Sequence, residues 1–332
     1  MTYAWHLKSR PIGRPNLDNF ELKQIALPRL EEGQIHVRNL WLSVDPYMRP
    51  RMDGNERSYI PPFKVGDPMD GGAIGEIVES RAPGFAPGVL VKHMMGWRDE
   101  AILSATQVTR IQPIKDVPVD AYLGILGGPG MTAYFGLFDV AAAKVGDVVF
   151  VSGAAGAVGS AVVQLAKARG LTVVASAGGA SKCAWVRELG ADAVIDYKAD
   201  GTVLDKLRTA APQGIDVYFD NVGGEHLDAA LATGKQHARF ALCGMISQYN
   251  GEGPPTSLQH LTQAVTCRMT LRGFISSDYL HRKHEFETHV GELLATGKIR
   301  PYSTVSQGLN SAPKAFLGLF EGENKGKMLI RL

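Results

Sequence analysis

Cysteine is scarce in this sequence. Cys183, Cys243 and Cys267 are the three in 332 residues. So few thiols make no disulfide framework, and with no CxxC or clustered Cys/His pattern they offer no structural zinc site. They fit a reducing compartment, so a cytoplasmic protein is expected. Charge of one sign is lacking too: 35 Lys and Arg against 33 Asp and Glu leave a net +2. That balance points to neither nucleic acid nor a membrane surface as partner. No apolar run reaches the ~18 residues of a membrane span. Met1 to Arg10 lacks the ~7–15-residue apolar core of a signal peptide. No internal repeat or low-complexity tract is evident. What remains is a chain of ordinary globular composition, long enough for about two domains at ~100–200 residues each.

Two textures divide it. Residues 1–124 are rich in Pro, Gly and short β-type runs such as Gln34–Leu42, Ala73–Glu79 and Val89–His93, which predict an irregular β domain. From about residue 144 to 300, short apolar strands alternate with amphipathic helices. The predicted strands are Val148–Ser152, Thr172–Ser176, Ala193–Asp196, Asp216–Asp220, Arg239–Cys243 and Thr270–Phe274. The predicted helices are Ala157–Ala168, Ser181–Leu189, Val203–Thr209, Glu225–Ala232 and Ser257–Cys267. Six strands with helices between them imply βαβ units and a parallel, doubly wound sheet, the Rossmann dinucleotide fold. A further helix over Tyr279–Thr296 carries His281, His284 and His289 among charged residues, and a solvated face is preferred there to a zinc site. The chain ends in a strand-like Lys327–Leu332.

The most specific local chemistry is Gly153-Ala-Ala-Gly156-Ala-Val-Gly159, set between the first strand of this series and its helix. Glycines let the backbone turn sharply and approach a pyrophosphate, and the helix N-terminus offers it N–H groups and a positive dipole end. NAD-binding folds usually place an acid about 20 residues on, for the ribose 2′-hydroxyl. Here the segment reads Val173-Val-Ala-Ser-Ala-Gly-Gly179, without one. A carboxylate would repel a 2′-phosphate, so its absence permits NADP(H). Lys182 can neutralise that phosphate and the Tyr197 hydroxyl can donate to it. Taken alone, Lys182 also reads as a solvated helix residue.

Six motifs carry a family resemblance. They are Val44-Asp-Pro-Tyr-Met-Arg49, Gly128-Pro-Gly-Met-Thr-Ala-Tyr134, Ala154-Ala-Gly-Ala-Val-Gly159, Phe219-Asp-Asn-Val-Gly-Gly224, Cys243-Gly-Met-Ile-Ser-Gln-Tyr-Asn250 and Asn324-Lys-Gly-Lys327. Together they resemble the zinc-independent medium-chain dehydrogenase/reductases, in the group of prostaglandin reductases, alkenal double-bond reductases and curcumin-reductase-like enzymes. The resemblance implies a GroES-like β-barrel domain over 1–124, completed by 303–332, a Rossmann NADP-binding domain over 125–302, an active site in the cleft, and a homodimer. It implies cofactor contacts at Ala155, Gly156, Ala157, Val158, Lys182, Tyr197, Asn221, Cys243, Gly244, Tyr249, Phe274, Ile275, Ser276 and Asn324. Two departures bear on the first domain: Pro50 replaces a small residue and Glu100 an aromatic one. Zinc alcohol dehydrogenases of the same superfamily use a Cys near the first domain's catalytic loop and a Gly-His-Glu segment. Ser43-Val-Asp-Pro46 and Gly71-Gly-Ala-Ile-Gly-Glu76 stand there instead. No metal is expected, and reduction of an already polarised alkene is favoured over alcohol oxidation.

The expected reaction is NADPH-dependent reduction of the C=C bond of an apolar α,β-unsaturated aldehyde or ketone. Tyr249, just after the fifth Rossmann strand, is the first candidate for the hydrogen-bond and proton donor, with a packing aromatic as the alternative. Tyr47 is the second candidate, for substrate positioning. Asp45 and Arg49 are expected to hold their loop. Tyr47, Met48, Met131, Tyr134 and Tyr249 are expected to line the pocket, with loops 54–64 and 250–259 shaping it. A quinone reductase of the same fold and a cofactor-binding protein without turnover are the competing readings.

Overall fold

The computed structural model describes residues 2–251 and 257–332. They form two compact units: the chain up to Ile114 joined by Ser303–Leu332, and Lys115–Tyr302.

In the second unit, strands β1 (Val148–Val151), β2 (Thr172–Ala177), β3 (Ala193–Asp196), β4 (Ile215–Asp220), β5 (Gly234–Leu242) and β6 (Thr270–Gly273) form one sheet in the order 3-2-1-4-5-6. Every pairing is parallel. Helices α1 (Ala157–Ala168), α2 (Ala180–Glu188), α3 (Val203–Ala210) and α4 (Gly224–Thr233) connect them. A parallel sheet covered on both faces needs strands apolar throughout, as in Val148-Val-Phe-Val151. Phe150, Val174, Tyr218 and Phe240 share one core. Within it Phe150 stacks on Tyr218 at 5.2 Å, and Tyr218 meets Phe240 edge-on at 5.4 Å. The strand order reverses between β1 and β4, which opens a crevice at their C-terminal ends.

Three predicted elements differ. The helix expected over Ser257–Cys267 is α-helical at Gln263–Thr266. His260 sends its backbone N–H and its ring Nδ1 to Asp228, at 2.9 and 2.8 Å, so the start of this segment is tied to α4. The helix expected over Tyr279–Thr296 begins as a 3-10 turn, Ser276–Arg282, and becomes α-helical over Lys283–Ala295. Residues 115–124 fall in the second unit. Ala121 O accepts from Gly124 and Leu126, and Gly124 O from Gly127 and Gly130, which joins this stretch to the helix Gly128–Phe135.

The first unit is built on the long strand Gln34–Ser43. It pairs antiparallel with Ala73–Ser80, Glu100–Ser104 and Lys327–Arg331. Glu100 opens its strand opposite Arg38 and meets His36 Nε2 at 3.3 Å, so the acid is used at the sheet surface. Lys327–Arg331 also pairs, in parallel, with Ser303–Gln307. The C-terminal segment thus completes a largely antiparallel sheet. Phe20, Trp97 and Phe316 pack with ring centroids about 6 Å apart beside the buried Met48.

Two histidines are buried as neutral rings. Burial pushes His93 and His226 down to about 4, from about 6.5. His93 Nδ1 accepts from Met95 N at 3.1 Å, and His226 Nε2 lies 2.8 Å from Ser176 Oγ. Between those two pH values the unfolded chain binds protons that the folded chain refuses. Stability therefore rises with pH across this window and is lost on acidification, on the order of 3 kcal/mol per histidine. Denaturant melts between about pH 7 and about pH 5 are expected to show a shallower loss in His226→Gln, and equal slopes would refute the assignment.

Candidate functional site

The glycine turn builds the centre of the site. Gly153 has φ +58°, a conformation that suits glycine. A Cβ on Gly159 would stand 2.3 Å from Gly153 O and 2.7 Å from Ala154 Cα, so only glycine lets α1 lie this close to the turn. Gly156 is the N-cap of α1 and no side chain caps the helix. The first-turn N–H groups of Ala157 and Val158 have no acceptor within the helix. Ala155 is buried beneath. An uncapped 12-residue helix starting at a glycine cradle fits a pyrophosphate.

The next loop carries the residues expected at a 2′-phosphate. Gly179, at φ +87°, caps α2, and Lys182 lies in its first turn, partly exposed. The Tyr197 ring packs on Gly178, where a Cβ would meet its hydroxyl at 2.7 Å. Both side chains therefore border the same two-glycine turn. Ser176, which stands near the usual position of the NAD-selective acid, is buried and bonded to His226. An acid does come close from β3: Asp196 Oδ1 accepts from Gly179 N at 2.8 Å and Lys198 N at 2.9 Å. Those backbone donors hold its carboxyl below the ordinary range.

At the crevice, Asn221 donates its Nδ2 to Ser152 O at 2.8 Å and its N to Ser152 Oγ at 2.9 Å. Gly153 faces Asn221 and Val222, so this loop and the glycine turn meet. After β5, Cys243 N and Gly244 N both donate to Asp220 O, at 2.9 and 3.0 Å. Burial, then the charge of Asp220, push the Cys243 thiol up to about 12, so it stays protonated. Tyr249 follows the 3-10 turn Ile246–Gln248, and its hydroxyl accepts from Met245 N at 3.4 Å and overhangs Gly244. Burial raises its phenol above the ordinary value. Phe274 packs edge-on against Phe219, and both rings close over Gly136. Ile275 and Ser276 follow it, partly exposed.

In the first unit, Tyr47 precedes the short helix Met48–Arg51, which includes Pro50. Its phenol is raised well above the ordinary value by burial, then by Asp45. Asp45 accepts from Ser43 Oγ and from Lys327 Nζ, the latter at 2.9 Å. Lys327 is buried and also donates to Val44 O at 2.7 Å and Met328 O at 3.1 Å. Arg49 donates to Asp53 and to Gly13 O, so both loop residues hold backbone and neighbours. Asn324 is buried in the turn before Lys327, with Nδ2 on Gly326 O at 2.8 Å. Three of the residues expected at the pocket, Met48, Met131 and Tyr134, are buried in the core. Met48 is fully buried. Tyr134 is wedged among Phe135, Phe138 and Phe286, with its hydroxyl 3.2 Å from Glu285. The 54–64 loop borders a groove of about 550 Å³ with Arg10, Tyr59, Phe63 and Lys64. Residues 252–256 of the 250–259 loop lie outside the described residues.

Sequence reasoning missed Asp220, His226 and Lys327. Asp220 and Lys327 stand inside motifs and His226 two residues past one, but one partner of each is distant in sequence: Ser152, Asp45 and Ser176.

A family model described as "N-terminal domain of oxidoreductase" matches residues 3–111, and one described as "Zinc-binding dehydrogenase" matches residues 157–296. Among the described residues no group of three or more His, Cys, Asp or Glu could hold a metal ion. The chain is 40% identical to the NADPH-dependent curcumin reductase of Escherichia coli, over 99% of this chain and 96% of that one. It is 41% identical to the NADP(+)-dependent 2-alkenal reductase of Nicotiana tabacum, over 98% and 95%. The structure of CurA from Vibrio vulnificus in complex with NADPH superposes with a TM-score of 0.93 at 38% identity, covering 99% of this chain and 98% of that one. The chain therefore belongs to the medium-chain dehydrogenase/reductase superfamily, as an NADP-dependent oxidoreductase of the group that holds the curcumin, 2-alkenal and prostaglandin reductases.

Proposed function

We propose that this enzyme reduces the C=C bond of α,β-unsaturated aldehydes and ketones with NADPH. The observation that carries the reading is Tyr249: a protonated phenol on the loop after β5, at the ligand-facing end of the sheet. The relatives named for curcumin and 2-alkenals support the substrate class.

NADPH, when bound, supplies the hydride that the substrate's β-carbon accepts. Ala157 and Val158 would hold its pyrophosphate by backbone N–H, and Lys182 and Tyr197 its 2′-phosphate. Asn221, Cys243, Gly244 and Phe274–Ser276 would border the ribose and nicotinamide, and Asn324 would join them from the C-terminal segment. As the β-carbon is reduced, negative charge gathers on the carbonyl oxygen. The Tyr249 hydroxyl accepts from Met245 N, which leaves its own proton to donate to that oxygen. Such a donor contributes roughly 3–4 kcal/mol to the transition state. The α-carbon then takes a proton from water, which completes the reduction. Tyr47 orients the carbonyl end of the substrate.

We also infer a homodimer and a cytosolic setting. Among the described residues β6 pairs with β5 alone, and the exposed Leu261, Val265 and Leu280 bracket it in sequence. The three cysteines are free. Light scattering at twice 35.7 kDa supports the dimer, and a 35.7 kDa species discards it.

Two experiments test the chemistry. Tyr249→Phe is expected to lower kcat for an enal by about 100-fold with stability little changed. In the parent enzyme the donor proton is retained up to the ordinary phenol range of about pH 10. An unchanged kcat at all pH values removes Tyr249 as donor, and faster NADPH oxidation with quinones than with enals or enones replaces the reaction. Lys182→Ala is expected to raise the Kd of NADPH about tenfold while leaving that of NADH in place. Equal losses would remove Lys182 from the phosphate.

A further inference from the structure

Asp220 ends β4 at the point where the strand order reverses, and none of its surface is exposed. One side-chain oxygen does all the bonding. Oδ1 accepts from Gly223 N and the Tyr218 hydroxyl at 2.7 Å, Val222 N at 2.9 Å and the Ser152 hydroxyl at 3.2 Å. Oδ2 is buried and has no hydrogen-bond partner among the described residues. The residue's own carbonyl oxygen accepts from Cys243 N and Gly244 N. Ser152 in turn carries Asn221 through both its hydroxyl and its carbonyl.

A buried carboxylate with one idle oxygen is a cost that an apolar side chain would not carry. Its donors explain what the cost accompanies. Apart from Tyr218, every one lies in a loop at the C-terminal edge of the sheet, outside the core. Three segments meet there: the entry to the glycine turn, residues 221–223 and residues 243–244. The last ladder bonds are those of Ser152 N to Phe219 O and Cys243 N to Asp220 O, and beyond them each backbone has left its strand.

We propose that Asp220 is the positioning residue of the dinucleotide site, its one bonded carboxylate oxygen fixing the entry to the glycine turn and residues 221–223 against one another beside residues 243–244, which its backbone carbonyl holds. It touches no ligand; its side chain acts through Ser152, which carries Asn221, and through Val222 and Gly223. The proposal rests on the assignment of the Asn221 and Cys243 loops to the cofactor. It also says which feature of Asp220 matters. One acceptor oxygen suffices, so the amide of Asn, which keeps that oxygen, should serve in its place.

The test compares Asp220→Ala, Asp220→Asn, Ser152→Ala, Tyr218→Phe and Asn221→Ala in the full chain. The Kd of NADPH is read by fluorescence titration and Tm without cofactor by a thermal melt. Asp220→Ala and Ser152→Ala are expected to raise Kd by about tenfold or more, and Asp220→Asn to stay within about threefold of the parent. Tyr218→Phe removes a hydroxyl that bonds Asp220 Oδ1 and Ser152 Oγ, while the bonds from Ser152, Val222 and Gly223 to Asp220 remain. It should lower Tm as Ser152→Ala does and leave Kd within about threefold. If Asp220→Ala fails to fold, Ser152→Ala and Tyr218→Phe still decide, since a split between Kd and Tm is beyond a purely structural role. Asn221→Ala separates the two possible failures. If it weakens NADPH while Kd merely follows Tm in the other variants, the loop assignment stands and the positioning role is overturned. If it leaves Kd unchanged, the loop assignment falls and the proposal falls with it.

Discussion

A carboxylate without water needs donors around it, and at Asp220 the donors come from the loops that end the strands. That requirement organises the ligand-facing edge of the parallel sheet. β1 and β4 lie side by side, but the chains leaving them turn to opposite sides, which is why a crevice opens there. Strand pairing ends with Ser152 N on Phe219 O and Cys243 N on Asp220 O. Beyond it, the bonds to the Asp220 carboxylate and to Ser152 set the spacing of the departing backbones. Gly159, packed onto Gly153 O, supplies it for the helix that follows.

The alternating pattern of strands and helices was legible because it is local. A run such as Val148-Val-Phe-Val151 has one stable use in a protein of this composition, and the glycine spacing after it has a steric meaning that the structure displays at Gly159. The partners of Asp220, His226 and Lys327 were not legible. Ser152 lies 68 residues from Asp220, Ser176 lies 50 from His226, and Asp45 lies 282 from Lys327. No periodicity carries information over such separations. Local signals also misled where two environments favour the same residue type. Tyr134 beside a glycine-rich turn suits a pocket wall or an aromatic core equally, and its neighbours Phe135, Phe138 and Phe286 decide for the core. The pattern of Ser257–Cys267 is helical throughout, but two hydrogen bonds from His260 to Asp228 stand where its first helical turn was expected.

Buried charge is handled differently at Lys327 and at Asp220. In the first, Lys327 lies under the Tyr47 loop with its three protons on two carbonyls and the Asp45 carboxylate, and Asp45 takes the Ser43 hydroxyl as well. The ammonium and carboxylate neutralise one another, and their remaining bonds go to the turn that carries Tyr47. Removing either partner would leave the other buried and uncompensated, which makes the loop's shape hard to alter. At Asp220 in the second unit the same problem is met by hydroxyl and backbone donors.

Cofactor choice depends on the same logic of where a charge is held. The segment after β2 carries no acid, yet Asp196 arrives from β3 and lies close to the two glycines that border Lys182 and Tyr197. A free carboxylate there would repel a 2′-phosphate. Asp196 is not free: Gly179 N and Lys198 N bind its Oδ1, and Lys198 and Lys206 act on it electrostatically. Its charge is kept but offset by those donors and lysines, at a turn that Lys182, Lys198 and the Tyr197 ring border. The missing acid after β2 is thus one part of the charge balance at this turn, and the engagement of Asp196 is another. The sequence alone could not distinguish these, because an aspartate bound to two backbone N–H groups and a free one are written with the same letter.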